Sequence, residues 1–179
     1  TALNVMITRS LDVFDPAVVT VGRIHAGTTN NVIPETAMIE ATMRTVSETT
    51  RAKVHDGVKR VAEGVAAAHG CGVEVVIDHG YPVTTNHDRM ADFSLGLARE
   101  VAGAEATVEL PNPIMGAEDF SYVLNEVPGA MVFLGATPHG TDLSTVAPNH
   151  SNRVFFEESS MQTGIALYAA AALRTLAPA

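Results

Sequence analysis

The sequence has 179 residues, 46% hydrophobic and 17% charged, a balance that suits a globular chain and argues against disordered and fibrous classes. Eleven Lys and Arg against 20 Asp and Glu leave a formal charge of −9, and six Phe and three Tyr offer few stacking surfaces, so nucleic-acid binding is not expected. Apolar runs fall well short of the ~20 residues that span a bilayer, so no membrane association is expected either. The opening TALNVMITRSLDVFD carries acids and has no charged-then-apolar order, and Cys71 is the single cysteine. A cytoplasmic protein without disulfides is the default expectation.

Leu3, Met6, Ile7 and Leu11 recur near helical spacing with no capping residue before them, which predicts a helix entered partway. PAVVTVGRI (16–24) is rich in β-branched residues and predicts a strand, closed by the turn residues of HAGTTNNVIP. TAMIEATMR (36–44) sets Ala37, Ile39, Ala41 and Met43 on one face and Met38, Glu40, Thr42 and Arg44 on the other, the period of a half-buried strand. Val54, Val58, Val61 and Val65 stand at i, i+4, i+7 and i+11 before Gly70 and Gly72, which predicts a helix over 49–69. GVEVVID (72–78) reads as a third strand. The order α-β-β-α-β is that of a ferredoxin-like β-α-β-β-α-β unit without its first strand. That strand is central to the sheet, so this unit is not expected to fold by itself from Thr1.

After Pro82 helix and strand alternate, which predicts a separate α/β layer, with domains at 1–82 and 83–179. Asn86 is expected to cap a helix with Met90, Phe93, Leu97 and Val101 on its core face, followed by a short strand ATVEL (106–110). Phe120, Val123, Leu124 and Val127 predict another helix, and AMVFLGA (130–136) a buried parallel strand. Met161, Ile165, Tyr168, Ala172 and Leu176 predict the core face of the last helix.

Seven histidines and one cysteine include no HExxH, no CxxC and no His pair at helical spacing, so no complete metal site is visible. His150, in PNHSNRVFFEESS, is either a loop histidine or a ligand whose partners come from elsewhere, because a catalytic zinc takes about three protein ligands. Glu118 and Asp119 suit the first turn of a helix, and their loop sits at an element end where α/β layers place their sites. Asn30 and Asn31 are expected in a turn for their tolerance of left-handed backbone. Arg44 reads as a solvated residue paired with Glu40 along the same strand face. Cys71 reads as an inert thiol, and His25, His55, His69, His79 and His87 carry no functional claim from spacing.

Taken in order, AGTTNNVIPETAMIEATMR, MGAEDFSYVLNEVPGAMVFLGA and NHSNRVFFEE resemble the di-metal amidohydrolases that include hippurate hydrolase, indole-acetyl-amino-acid hydrolase, aminoacylase and carboxypeptidase G. The resemblance covers nearly the whole chain but about the C-terminal half of a family member. It implies an α/β architecture in which a ferredoxin-like lid and dimerisation domain, here without its first strand, joins the C-terminal part of a metallopeptidase-like catalytic domain. It further implies two divalent ions, Zn or Mn, and hydrolysis of an N-acyl amino acid by a metal-activated water. His150 matches the last metal ligand, Asn31 and Arg44 match lid residues that take the substrate carboxylate, and Glu118 matches a G-x-E-D-F segment near the pocket. The general-base glutamate and most ligand segments are expected upstream, so this chain carries no catalytic residue of its own and should be inactive alone. The partners implied are the small-molecule substrate and a second copy held through the lid. A reading from a different class is a non-catalytic ferredoxin-like dimerisation or ligand-binding module.

Overall fold

The structure is a computed structural model and describes residues 1–177. Its elements, in chain order, are α1 (Ala2–Ser10), β1 (Ala17–Ala26), β2 (Ala37–Thr45), α2 (Glu48–Ala68), α3 (Asp88–Ala102), α4 (Phe120–Glu126) and α5 (Ser160–Leu176). The chain divides into two compact units, one of Thr1–Thr84 with Asn112–Tyr122, the other of Thr85–Pro111 with Val123 onward.

In the first unit the β-branched run and the alternating run pair as antiparallel β1 and β2, from Ala17 opposite Thr45 to Ala26 opposite Ala37. The ladder carries one bulge: Val21 opposes Ala41 and Arg23 opposes Glu40, so Gly22 is the extra residue. Arg23 pairs with Glu40 across the strands. This corrects the expected pairing of Arg44 with Glu40, since the register brings Arg23 directly opposite that carboxylate.

Helix α2 starts at a formed cap: Ser47 Oγ accepts the Thr50 N–H at 3.0 Å. Asp15, just ahead of β1, then accepts from Ser47 Oγ at 2.7 Å and Thr50 Oγ1 at 2.6 Å, tying strand to helix. Those two hydroxyls, Thr50 first and Ser47 second, hold the Asp15 carboxyl below its ordinary value. Helices α1 and α2 pack on each other, and Met6 of α1 and Thr50, Val54 and Gly57 of α2 are buried. A β-carbon on Gly57 would lie 2.7 Å from Met6 Sδ, so the glycine is what allows this approach.

Residues 72–78 form no ladder, contrary to expectation, and β1–β2 is the one sheet among the described residues. The same holds for 106–110 and 130–136. Each has the β-rich composition of a strand but forms no ladder with a second strand among the described residues, and Val132, Phe133 and Leu134 stand exposed.

In the second unit α3 packs on α5, and Arg174 Nη2 meets Glu100 Oε2 at 2.7 Å. Leu97 and Leu124 are buried. The residue capping α3 is His87, not Asn86. The Asn86 carboxamide is occupied elsewhere, donating to Met131 O at 3.0 Å and accepting the Met131 N–H at 2.8 Å. The expected core face of α5 points outward: Met161 is 58%, Ile165 69%, Tyr168 84% and Leu176 80% exposed. The helix instead turns a small-residue face inward, where a β-carbon on Gly164 would come 3.1 Å from Leu134 Cδ2.

Apolar exposure is general. The chain presents 13,840 Å² of accessible surface at 18.8 kDa, against about 8,300 Å² for one compact globule of that mass and about 10,000 Å² for two separate globules of half the mass. However the two units are disposed, much apolar surface has no cover within the described residues. No helix among them is long and apolar enough to cross a membrane.

Candidate functional site

His150 lies in a tight turn of the second unit, closed by the Ser151 N–H donating to Pro148 O at 3.0 Å. Its φ is +70°, and it is the one non-glycine residue at positive φ among the described residues. A β-carbon makes that region unfavourable by roughly 1–2 kcal/mol, a cost that glycine would avoid. The neighbouring Asn149 Oδ1 accepts the His150 N–H at 3.2 Å and supports the turn. The imidazole is exposed and makes no hydrogen bond among the described residues. Downstream, the chain is fixed to the 130–136 segment by the Glu157 N–H donating to Ala136 O at 2.7 Å. Glu157 Oε1 accepts from Ser159 Oγ at 3.0 Å and from the Ser159 N–H at 3.3 Å, which holds its carboxyl below the ordinary value. Residues on either side of His150 line a shallow cleft of about 300 Å³, with Val146 and Ala147 before it and Arg153 and Phe155 after it.

In the first unit Arg44, on exposed β2, donates through Nη1 to Met115 O at 2.7 Å. This hydrogen bond links the strand to the segment that carries Glu118 three residues later. Glu118 precedes α4 rather than opening it. Its carbonyl accepts from Ser121 Oγ at 2.6 Å and from the Ser121 N–H at 3.1 Å, and its side chain is half-buried. Asn31 sits in the turn after β1, where its Oδ1 accepts from Thr29 Oγ1 at 3.1 Å. Asn31 and Arg44 share no hydrogen bond among the described residues. Spacing assigned nothing to His55 and His79, whose rings meet edge to face with centroids 4.9 Å apart. The signal that could have found this cluster is Glu48, Arg51 and His55 at i, i+3 and i+7 on one helix.

The sequence profile described as peptidase family M20/M25/M40 matches residues 7–174. The chain belongs to this family. Among M20/M25/M40 relatives, an N-acetyldiaminopimelate deacetylase of Streptococcus suis is 39% identical over 141 residues, 78% of this chain and 37% of that protein. A thermostable carboxypeptidase 2 of Saccharolobus solfataricus is 30% identical over 167 residues, 93% of this chain and 41% of that one. The crystal structure of a Bacillus subtilis protein described as a dinuclear metal binding peptidase of the M20 family matches with a TM-score of 0.72 at 30% identity, over 89% of this chain and 42% of its own. A structure from methicillin resistant Staphylococcus aureus matches with a TM-score of 0.85 at 25% identity, over 98% and 44% respectively. The chain therefore has the α/β fold of M20 proteins and spans about two-fifths of the length of the relatives it matches.

Family membership raises the question of metal. No three His, Cys, Asp or Glu side chains come together as a metal site among the described residues. His150 fits as one ligand, an accessible imidazole held on a strained turn, but one imidazole does not make a site. No reaction step is assigned through metal on these residues.

Proposed function

We propose that the chain is the C-terminal part of a metal-dependent amidohydrolase that cleaves N-acyl amino acids. Water adds across the amide to give a carboxylic acid and a free amino acid. The observation that carries this reading is the exposed, unpartnered His150 imidazole held at φ +70° inside a chain of the M20 family. Backbone strain of this kind collects at functional sites. His150 is assigned as a ligand to one of two divalent ions, Zn or Mn, with the remaining ligands and the general-base glutamate outside this chain. Bound metal supplies an acidified water and charge stabilisation in enzymes of this type. Arg44 and Asn31 are assigned to the substrate carboxylate, and Glu118 lies near the pocket.

The same proposal includes a ferredoxin-like lid over residues 1–82, its sheet completed by strands not seen here, and a homodimer formed through that lid. Both strands of the two-stranded sheet are edges, and an uncovered edge invites pairing. A catalytic part over 83–179 and a cytoplasmic location, in keeping with a lone cysteine, complete the reading.

The test is His150→Gly in the intact protein, with bound metal counted by elemental analysis. Glycine accepts φ +70° without strain, so the turn should survive while the ligand is lost. The expected outcome is loss of metal and of N-acetyl amino acid hydrolysis, with metal-free stability unchanged or raised by up to about 1 kcal/mol. A variant that keeps both metal and activity sinks the assignment.

A further inference from the structure

Residues 79–83 are held by one face of α2. Glu48, Arg51 and His55 share that face, at i, i+3 and i+7. Glu48 Oε1 accepts the Val83 N–H at 2.7 Å. Arg51 Nη1 reaches both Glu48 oxygens, at 3.0 and 3.1 Å, while its Nη2 donates to the carbonyl of His79. The His55 ring meets the His79 ring edge to face, 4.9 Å between centroids and 72° between planes. From α4, Tyr122 Oη donates to Gly80 O at 3.4 Å and its ring meets that of Tyr81 at 6.0 Å. The first unit gives way to the second between Thr84 and Thr85, immediately past the amide that Glu48 holds.

We propose that Glu48, Arg51 and His55 form an acid-released latch on residues 79–83, the stretch that leads from the first unit to the second. Two neutral imidazoles attract edge to face, whereas two imidazolium ions at this separation repel each other and Arg51. The charged and titratable groups around the pair are Glu48, Arg51, Asp56 and Lys59 on α2, Asp78 just before the held segment, Tyr81 within it, and Tyr122 on α4. Burial first, then His79, Arg51 and Lys59, keep His55 below its ordinary 6.5, with Asp56 opposing them. Burial works against the charged form of Glu48, but the Val83 N–H and Arg51 together outweigh it and hold the carboxyl below 4.5. Within the latch, therefore, His55 gains charge on acidification below 6.5, while Glu48 stays ionised above 4.5. The sign follows from His55: the folded state disfavours its proton, so the latch is intact above 6.5 and is lost as pH falls through the lower folded value. The inference does not depend on the substrate or metal proposed above.

The experiment is amide hydrogen exchange on the intact protein at about pH 7.5 and about pH 5, each rate corrected for intrinsic chemistry. Protection across 79–84 should fall at least about fivefold at the lower pH, while the β1–β2 ladder in the same unit stays unchanged. His55→Phe keeps a ring without the charge and should abolish the fall. His79→Gln changes an exposed position and should do the same if His55→Phe does not fold. Equal protection at both pH values, or a fall that survives His79→Gln, overturns the latch.

Discussion

The guanidinium of Arg44 donates through Nη1 to Met115 O and keeps its Nε and Nη2 edge for another acceptor. Under the proposed function that acceptor is the substrate carboxylate, and the Met115 contact fixes the plane of the fork. Arg44→Ala in the intact enzyme should lower kcat/KM by about 2–4 kcal/mol for an N-acyl amino acid and much less for its C-terminal amide. Arg44→Lys should recover little, because an ammonium has no planar fork. Steady-state kinetics on the acid and amide pair checks this, and an Ala variant that keeps full preference for the acid returns Arg44 to a structural role. Asp15 makes a second residue-scale case. Its carboxyl is held below 3.8 by the hydroxyls of Thr50 and Ser47, so its contribution is present above that value and lost as pH falls through the folded one. Urea unfolding between about pH 5 and pH 2.5 should show a shallower loss of stability in Asp15→Asn than in the wild type. Identical slopes would mean that the Ser47 and Thr50 hydroxyls favour no charge there.

Helix α2 contains two glycines whose surroundings differ. Gly57 faces Met6 at a distance no β-carbon tolerates, while Gly64 has nothing near it. Helix propensity favours alanine at both by about 1 kcal/mol, and overpacking at Gly57 costs about 1–3 kcal/mol. Gly64→Ala should therefore raise the urea midpoint and Gly57→Ala should lower it, a net loss of about 1 kcal/mol; a gain at both would mean that Met6 moves aside freely. This helix was legible from its valine spacing because its hydrogen bonds are internal, as was the β1–β2 hairpin, whose strands are neighbours in sequence. The runs at 72–78, 106–110 and 130–136 were equally strand-like, but a ladder needs a second backbone, and composition does not reveal whether one is within reach. The inward face of α5 escaped for a related reason: Gly164 admits Leu134 closely, and pattern reading favours the bulkier stripe of Met161, Ile165 and Tyr168. At the candidate site the motif around His150 was legible, but its positive φ was not, since only a few per cent of non-glycine residues adopt left-handed backbone even though histidine is enriched among them.

At the level of the whole chain, accessible surface well beyond that of a compact protein agrees with the proposal that further polypeptide covers it. With His150 as its single assigned ligand, the 179-residue chain in isolation should bind divalent metal weakly and release no amino acid from N-acetyl substrates. Titration with Zn or Mn and a ninhydrin assay would measure both, and robust hydrolysis by the isolated chain would show that a complete site forms without the rest.

Gly22 leaves one more consequence. Ahead of it Val18 opposes Arg44 and Thr20 opposes Thr42; beyond it Arg23, not Gly22, opposes Glu40. Side chains alternate along a strand, so Gly22 would have followed Val18 and Thr20 on the face shared with Glu40, Thr42 and Arg44. The extra residue shifts the count by one, placing Arg23 on that polar face and Ile24 across from Ile39 on the other. A strand is read two residues at a time, and one glycine sets the frame for its second half.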